Sequence, residues 1–212
     1  LIIPHKKNAV IVSLDFKSQE TLLMAEWSKD PALVSVFVGD DLRDFHSLTG
    51  VNIFNAQQNV SFSYAEYVEA VADKEHHWHS KAKRARALGK AVNFGAQYRI
   101  AAPKLSTMLF CTEEEAQEYL DAKARAFPVA EEWSTQEMHN VKITGTVKTM
   151  LGAIRHLRKE LLSSNKSEAA KAERQAISFR IQGSAAEMTK LSEGRMWKAN
   201  LLKKYDCEYI AP

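Results

Sequence analysis

The first apolar segment, Ala9-Val-Ile-Val-Ser-Leu14, is short, β-branched and nearly unbroken, which predicts a buried strand that delivers the carboxylate of Asp15 at its edge. A helix is expected next from Gln19 to Trp27. Asp30 then reads as the N-cap of another that begins at Pro31 and stops at Gly39. From Ser63 to Lys104 the pattern is mainly helical, with interruptions expected at Gly89, Gly95 and Pro103. Thr112-x-x-Glu115 is a capping box that opens a helix running towards Phe127-Pro128. Val141 to Thr149 alternates in period two around Gly145 and predicts a β-hairpin. A long helical stretch follows from Glu168 to Lys204, bent near Gln182-Gly183, and a last strand runs from Cys207 to Ala211. The fold class is α+β: a small sheet with a mainly helical insertion between its first and last strands.

Composition narrows the classes. Of 212 residues, 45% are hydrophobic and 26% charged, ordinary globular usage that argues against disorder, collagen and disulfide scaffolds. No apolar run approaches the ~18 residues needed to span a bilayer, and Leu-Ile-Ile-Pro-His-Lys-Lys lacks the layout of a signal peptide. No membrane partner is expected, and the cytoplasm is the expected location. Cys111 and Cys207 lie outside any Cys-x-x-Cys pattern, so neither a disulfide framework nor a thiolate zinc site is suggested. A start without Met and a close on an apolar run suggest a piece of a longer protein.

The net charge of +3 hides segregation. Residues 74–104 hold eight Lys or Arg against one acid, 113–137 eight acids against two bases, and 142–174 eight bases against three acids. Alternating patches suit a polyanion contacted at chosen places, because phosphate contacts need clustered cations. Solvated helix faces would give the same pattern.

Arg86, Lys90, Phe94 and Tyr98 recur every fourth residue, which on a helix places two cations and then two rings along one face. That order fits a nucleoside triphosphate, the cations on phosphates and a ring against base or sugar. Gly95 lies beside the row, where a missing side chain permits close approach. The alternative is an amphipathic helix with both rings in the core. Other motifs carry less. His76, His77 and His79 do not share one helical face with a completing ligand, so zinc is not expected. Asp40, Asp41 and Asp44 lack the spacing of a calcium loop, and Asp44 reads as a helix cap. There is no P-loop and no dinucleotide fingerprint.

Leu14-Asp15-Phe16-Lys17-Ser18-Gln19-Glu20, followed downstream by Arg86-x3-Lys90-x3-Phe94-x3-Tyr98, resembles motifs A and B of the family A, DNA polymerase I-like polymerases. Asp44-Phe-His46 is similar to a short segment between those motifs, Leu151-Gly-Ala-Ile-Arg155 to a Gly-Arg segment, and Glu173-Arg174 with Ile181-Gln-Gly-Ser-Ala-Ala186 to a late palm helix. The similar segments follow the family's order over nearly the whole chain.

The resemblance implies a small antiparallel palm sheet with a mainly helical fingers insertion: palm over residues 1–45, fingers over 46–140, palm again over 141–212. It implies template-directed addition of deoxynucleotides to a primer 3′-end by two-metal phosphoryl transfer, with primer-template DNA and deoxynucleoside triphosphates as partners. Asp15 and the Phe16 carbonyl would hold two magnesium ions. Lys90 would be catalytic and, with Glu20, His46, Arg86 and Phe94, would bind the nucleotide, Glu20 as the gate against a 2′-hydroxyl. Tyr98, Arg155, Arg174 and Gln182 would contact DNA. The pattern is broken at Lys17 and Ser18, at Arg99 where Gly is usual, and at Ser178 and Arg180. These departures favour a viral, phage-type source, which would put the protein in the host cytoplasm. A second metal carboxylate, from a His-Asp-Glu turn, is expected after Pro212, so this stretch alone is expected to be inactive. The rivals are a single-subunit RNA polymerase, which Glu20 opposes, and a non-catalytic nucleic-acid-binding module, which Asp15 opposes.

Overall fold

Side-chain caps set where many of the helices begin. In the computed structural model, which describes residues 9–38 and 43–208, Asp30 Oδ1 accepts from the backbone N–H groups of Ala32 at 2.9 Å and Leu33 at 3.0 Å. That starts α2 (Pro31–Val34) after α1 (Gln19–Ser28). The other oxygen of this fully buried carboxylate accepts from Ala130 N at 3.0 Å, a hundred residues away. Asp44 caps α3 (Phe45–Gln58), and capping boxes at Ser63-Glu66 and Thr112-Glu115 open α4 (Tyr64–Ala72) and α7 (Glu113–Ala126). Between them lie α5 (His79–Gln97) and α6 (Ala102–Leu109), and α8 (Pro128–Thr144) follows.

Two short strands, β1 (Thr146–Lys148) and β2 (Ile154–His156), pair antiparallel with Val147 opposite Arg155. The chain then forms α9 (Arg158–Leu161), α10 (Lys166–Ser178), a π turn (Phe179–Gly183), α11 (Ser184–Lys198) and α12 (Leu201–Lys204). The architecture is the expected α+β mix, dominated by helix.

Apolar side chains gather in separate cores. Phe54, Tyr67, Val92 and Leu105 centre one among α3 to α7. Leu23, Leu33, Phe45, Ala130, Ile177 and Ile181 centre a second, which joins α1 to α8, α10 and the π turn. A smaller one, of Val141, Val147, Leu157 and Ala176, seats the hairpin. Burying a side chain the size of Phe54 or Leu33 is worth about 1.5–3 kcal/mol, so these cores fix the helices that carry the polar row.

Several sequence expectations need correction. Residues 9–16 form no strand and are exposed, Val10 at 81%. A strand is held by a neighbour's hydrogen bonds, and among the described residues none pairs with this segment. The hairpin lies further along than expected: burial of Val141 carries α8 on to Thr144, Gly145 closes it at φ 71°, and the strands start at Thr146. Gly89 and Gly95 interrupt nothing, because both serve close contacts within or against a continuous α5. The helix at Pro31 ends at Val34, and its expected stop, Gly39, lies outside the described residues, as do Asp40 and Asp41. The long final helix is divided by the π turn and by a left-handed Asn200. Cys207 and Glu208 are irregular, and the rest of the expected last strand lies outside the described residues.

Candidate nucleotide site

α5 is held against α3 almost backbone to backbone. A Cβ on Gly89 would lie 2.8 Å from both Gly50 N and His46 O, and one on Gly50 would lie 3.0 Å from Arg86 Cα. The missing side chains let the start of α3 meet the cationic half of the row. There Asp44 Oδ2 accepts from Ser47 N at 3.0 Å, Ser47 Oγ at 2.6 Å and Arg86 Nε at 2.8 Å. Burial alone would raise the Asp44 carboxyl, but the Ser47 and Arg86 hydrogen bonds and the Arg86 charge outweigh it and hold the pKa below its ordinary value. Since Nε is taken, the terminal nitrogens of this part-exposed Arg86 are left for another anion.

His46 is buried beside Phe94, ring centroids 5.6 Å apart. Burial first, then the Arg86 and Lys90 charges, push its pKa down against the pull of Asp44, so the ring is neutral at neutral pH. Asn93 lies against the ring. Its amide Nδ2 lies 3.4 Å from His46 Nδ1 while its Oδ1 accepts from Thr49 Oγ1 at 2.9 Å. The same Nδ2 donates to the Phe45 carbonyl at 3.4 Å, so Asn93 ties the ring to the start of α3. Lys90 is exposed, its Nζ 5.8 Å from the Phe94 ring centroid.

The far end of the row is fastened differently. Tyr98 donates its hydroxyl proton to Glu20 Oε2, on the first turn of α1, and takes a 3.4 Å bond from Gln97 Nε2. Gln182 of the π turn approaches the same hydroxyl. Burial first, and Glu20 second, push the Tyr98 pKa well up, so it stays a phenol. The structure thus joins His46, Arg86, Lys90 and Phe94 in one cluster, and Glu20, Tyr98 and Gln182 in an adjoining one. Asp15 and Phe16, just upstream of Glu20, are exposed. Among the described residues no cluster of three or more His, Cys, Asp or Glu could hold a metal ion.

Arg155, on β2, donates to Gln175 Oε1 at 3.2 Å and lies over the Phe179 ring; Arg174, which precedes Gln175 in the chain, is exposed. Glu187 holds the hairpin turn, accepting from Thr149 Oγ1 at 2.6 Å and Leu151 N at 2.9 Å. Arg180 pairs with Glu137 at 3.0 Å and stacks on Trp27. Sequence reasoning missed Asn93, Glu187 and Glu137. Only the coincidence of Asn93 with the residue preceding Phe94 marked it, because its partners are 44 and 47 residues away.

Lys123, on α7 and half-buried, lines a small cavity together with Met24, Leu33, Phe45, Phe127 and Glu131. Burial first, then the Arg99 charge, push its ammonium from 10.5 down to about 8. Above that value the unfolded chain binds more protons than the folded one, so this residue makes stability rise as pH climbs from about 8 towards 10.5. Below both values the folded state carries the full penalty. The urea midpoint of the wild type should climb over this interval relative to Lys123→Met; parallel curves would remove the assignment.

A mainly helical body with a small antiparallel sheet carries the row of cations and rings on its longest described helix. Residues 1–209 match the profile of DNA polymerase family A, and the chain belongs to that family. It is 26% identical to DNA polymerase I of Borreliella burgdorferi over 201 residues, 95% of this chain and 20% of that protein. It is 28% identical to the thermostable DNA polymerase I of Thermus aquaticus over 183 residues, 86% of this chain and 19% of that one. A solved structure, the POL domain of Pol1 from M. smegmatis in complex with DNA primer-template and dNTP, superposes with a TM-score of 0.67 at 27% identity, covering 88% of this chain and 30% of that one. The chain spans about a fifth of the length of these curated relatives. Among the described residues no helix is long and apolar enough to cross a membrane.

Proposed function

We propose that the protein of which this chain is part is a DNA-directed DNA polymerase that adds deoxynucleotides to a primer 3′-end. The observation that carries the reading is the single row on α5, whose cations and first ring gather at a buried His46 and whose last ring is bonded to Glu20. Residues 46–140 are assigned to the fingers and 1–45 with 141–212 to the palm; the core among α3 to α7 supports the fingers assignment over 51–116, whereas Ala130 of α8 packs with Leu23 and Ile177 in the other core.

Arg86, with its orientation set by Asp44, and His46 bind the triphosphate. Lys90 adds a cation and a proton for the departing pyrophosphate. Phe94 packs against the nucleotide, and Glu20, held by Tyr98, occupies the space a ribose 2′-hydroxyl would need. Arg155, Arg174, Gln182 and Tyr98 face primer and template. Family A polymerases generally use divalent ions. The carboxylate of Asp15 and the carbonyl of Phe16 are hard oxygen donors, the chemistry that suits magnesium, which keeps waters and takes one or two carboxylates beside substrate phosphates. When bound, such ions activate the attacking hydroxyl and neutralise charge on the phosphates. Primer-template DNA and deoxynucleoside triphosphates are the partners, and the cytoplasm is the proposed location.

Primer extension with matched deoxy- and ribonucleotides tests the reading. Glu20→Ala should relax ribonucleotide rejection by about a hundredfold in the ratio of kcat/KM values while leaving deoxynucleotide use largely intact. An unchanged ratio would remove Glu20 as the gate.

A further inference from the structure

α5 ends in a two-bond stop. Ile100 N bonds Gly95 O at 2.9 Å and Arg99 N bonds Ala96 O at 3.1 Å, with Arg99 between them in the left-handed region at φ 56°. The Ile100 side chain closes onto Gly95, where a Cβ would lie 2.7 Å from Ile100 Cγ2. Glycine is the ordinary occupant of the left-handed position in such a stop. Here it is an arginine whose guanidinium crosses to α8. Nη1 donates to the Glu131 carboxylate, and Nη2 donates to Thr135 Oγ1 at 2.6 Å one turn further along. Nε is buried with no partner, so the group is committed to this contact and not free in water. The preceding residue, Tyr98, is the one bonded to Glu20. Two consecutive residues therefore tie the end of α5 to different elements, Tyr98 to α1 and Arg99 to α8.

We infer that Arg99 is a positioning residue for sugar selection: its clamp on Glu131 and Thr135 fixes the last turn of α5 and so holds the Tyr98 hydroxyl on Glu20. The inference rests on the polymerase reading above, and Arg99 itself touches no nucleotide. An arginine is a poor conformational choice at this position, and glycine would supply no clamp.

The test uses the polymerase that contains this chain, with Arg99→Gly, Glu131→Ala and the double variant. Glycine suits the left-handed backbone, so Arg99→Gly keeps the helix stop and removes only the clamp. Deoxy- over ribonucleotide preference in single-nucleotide incorporation should fall about tenfold in each single variant and no further in the double. Amide exchange at position 99 and at Ile100 should quicken by a similar factor. Wild-type preference and wild-type exchange in the single variants would overturn the inference, as would equal losses for both sugars. A wild-type enzyme that extends no primer would instead sink the polymerase reading, and is told apart because the exchange difference would persist.

Discussion

Replacing Asp15 by alanine in the polymerase proposed to contain this chain should abolish primer extension while primer-template DNA is still bound. Asp15 is the one carboxylate in the exposed segment leading into α1, five residues before Glu20, whose side chain is already engaged by Tyr98. No other acid in that stretch can replace it, since residues 9–19 hold no second Asp or Glu. Losing a metal-binding carboxylate removes several kcal/mol of charge stabilisation in the transition state, and about 4 kcal/mol is roughly three powers of ten in rate. The measurement is single-turnover incorporation beside an equilibrium DNA-binding assay. Incorporation at the wild-type rate would exclude the proposed mechanism and leave the non-catalytic binding module standing.

The second large effect is expected at Lys90. Its ammonium is exposed, sits 5.8 Å from the Phe94 ring centroid, and shares a face with an Arg86 whose Nε is already used by Asp44. Of the two cations, Lys90 is the one whose ammonium meets no side-chain carboxylate among the described residues, and unlike a guanidinium it can act as a proton donor to a substrate oxygen. Lys90→Ala should lower kcat/KM for the triphosphate by about 10² to 10⁴-fold with duplex affinity changed by only about twofold. Lys90→Arg should restore charge better than turnover. Parallel losses in incorporation and duplex binding would make Lys90 a contact to the DNA backbone.

Much of this was legible in the sequence, and the reason differs from element to element. Thr112-x-x-Glu115, Asp30-Pro31 and Asp44 announced helix starts because capping is local, needing only residues within four positions. The four-residue spacing of Arg86, Lys90, Phe94 and Tyr98 was legible for the same reason, since α5 runs unbroken beneath the first three and is capped by the fourth. What escaped depends on partners far along the chain. A β-branched run such as 9–14 is a strand only when another edge is offered to it. Gly89 reads as a helix breaker until Gly50 is known to lie against it, and Val141 reads as a strand residue until Val147 and Leu157 are seen to bury it. Glu131 carries no local mark and Asn93 none beyond its place before Phe94, because their partners, Arg99 and His46, lie far along the chain.

The contact of Gly50 with Gly89 leaves the cluster of His46, Arg86, Lys90 and Phe94 no gradual means of adjustment. With two amide backbones already at the limit of approach, the smallest available substitution is a whole methyl group, and it would land on Gly50 N and His46 O together. Spacing between the imidazole and the guanidinium therefore changes in discrete steps and not by small increments.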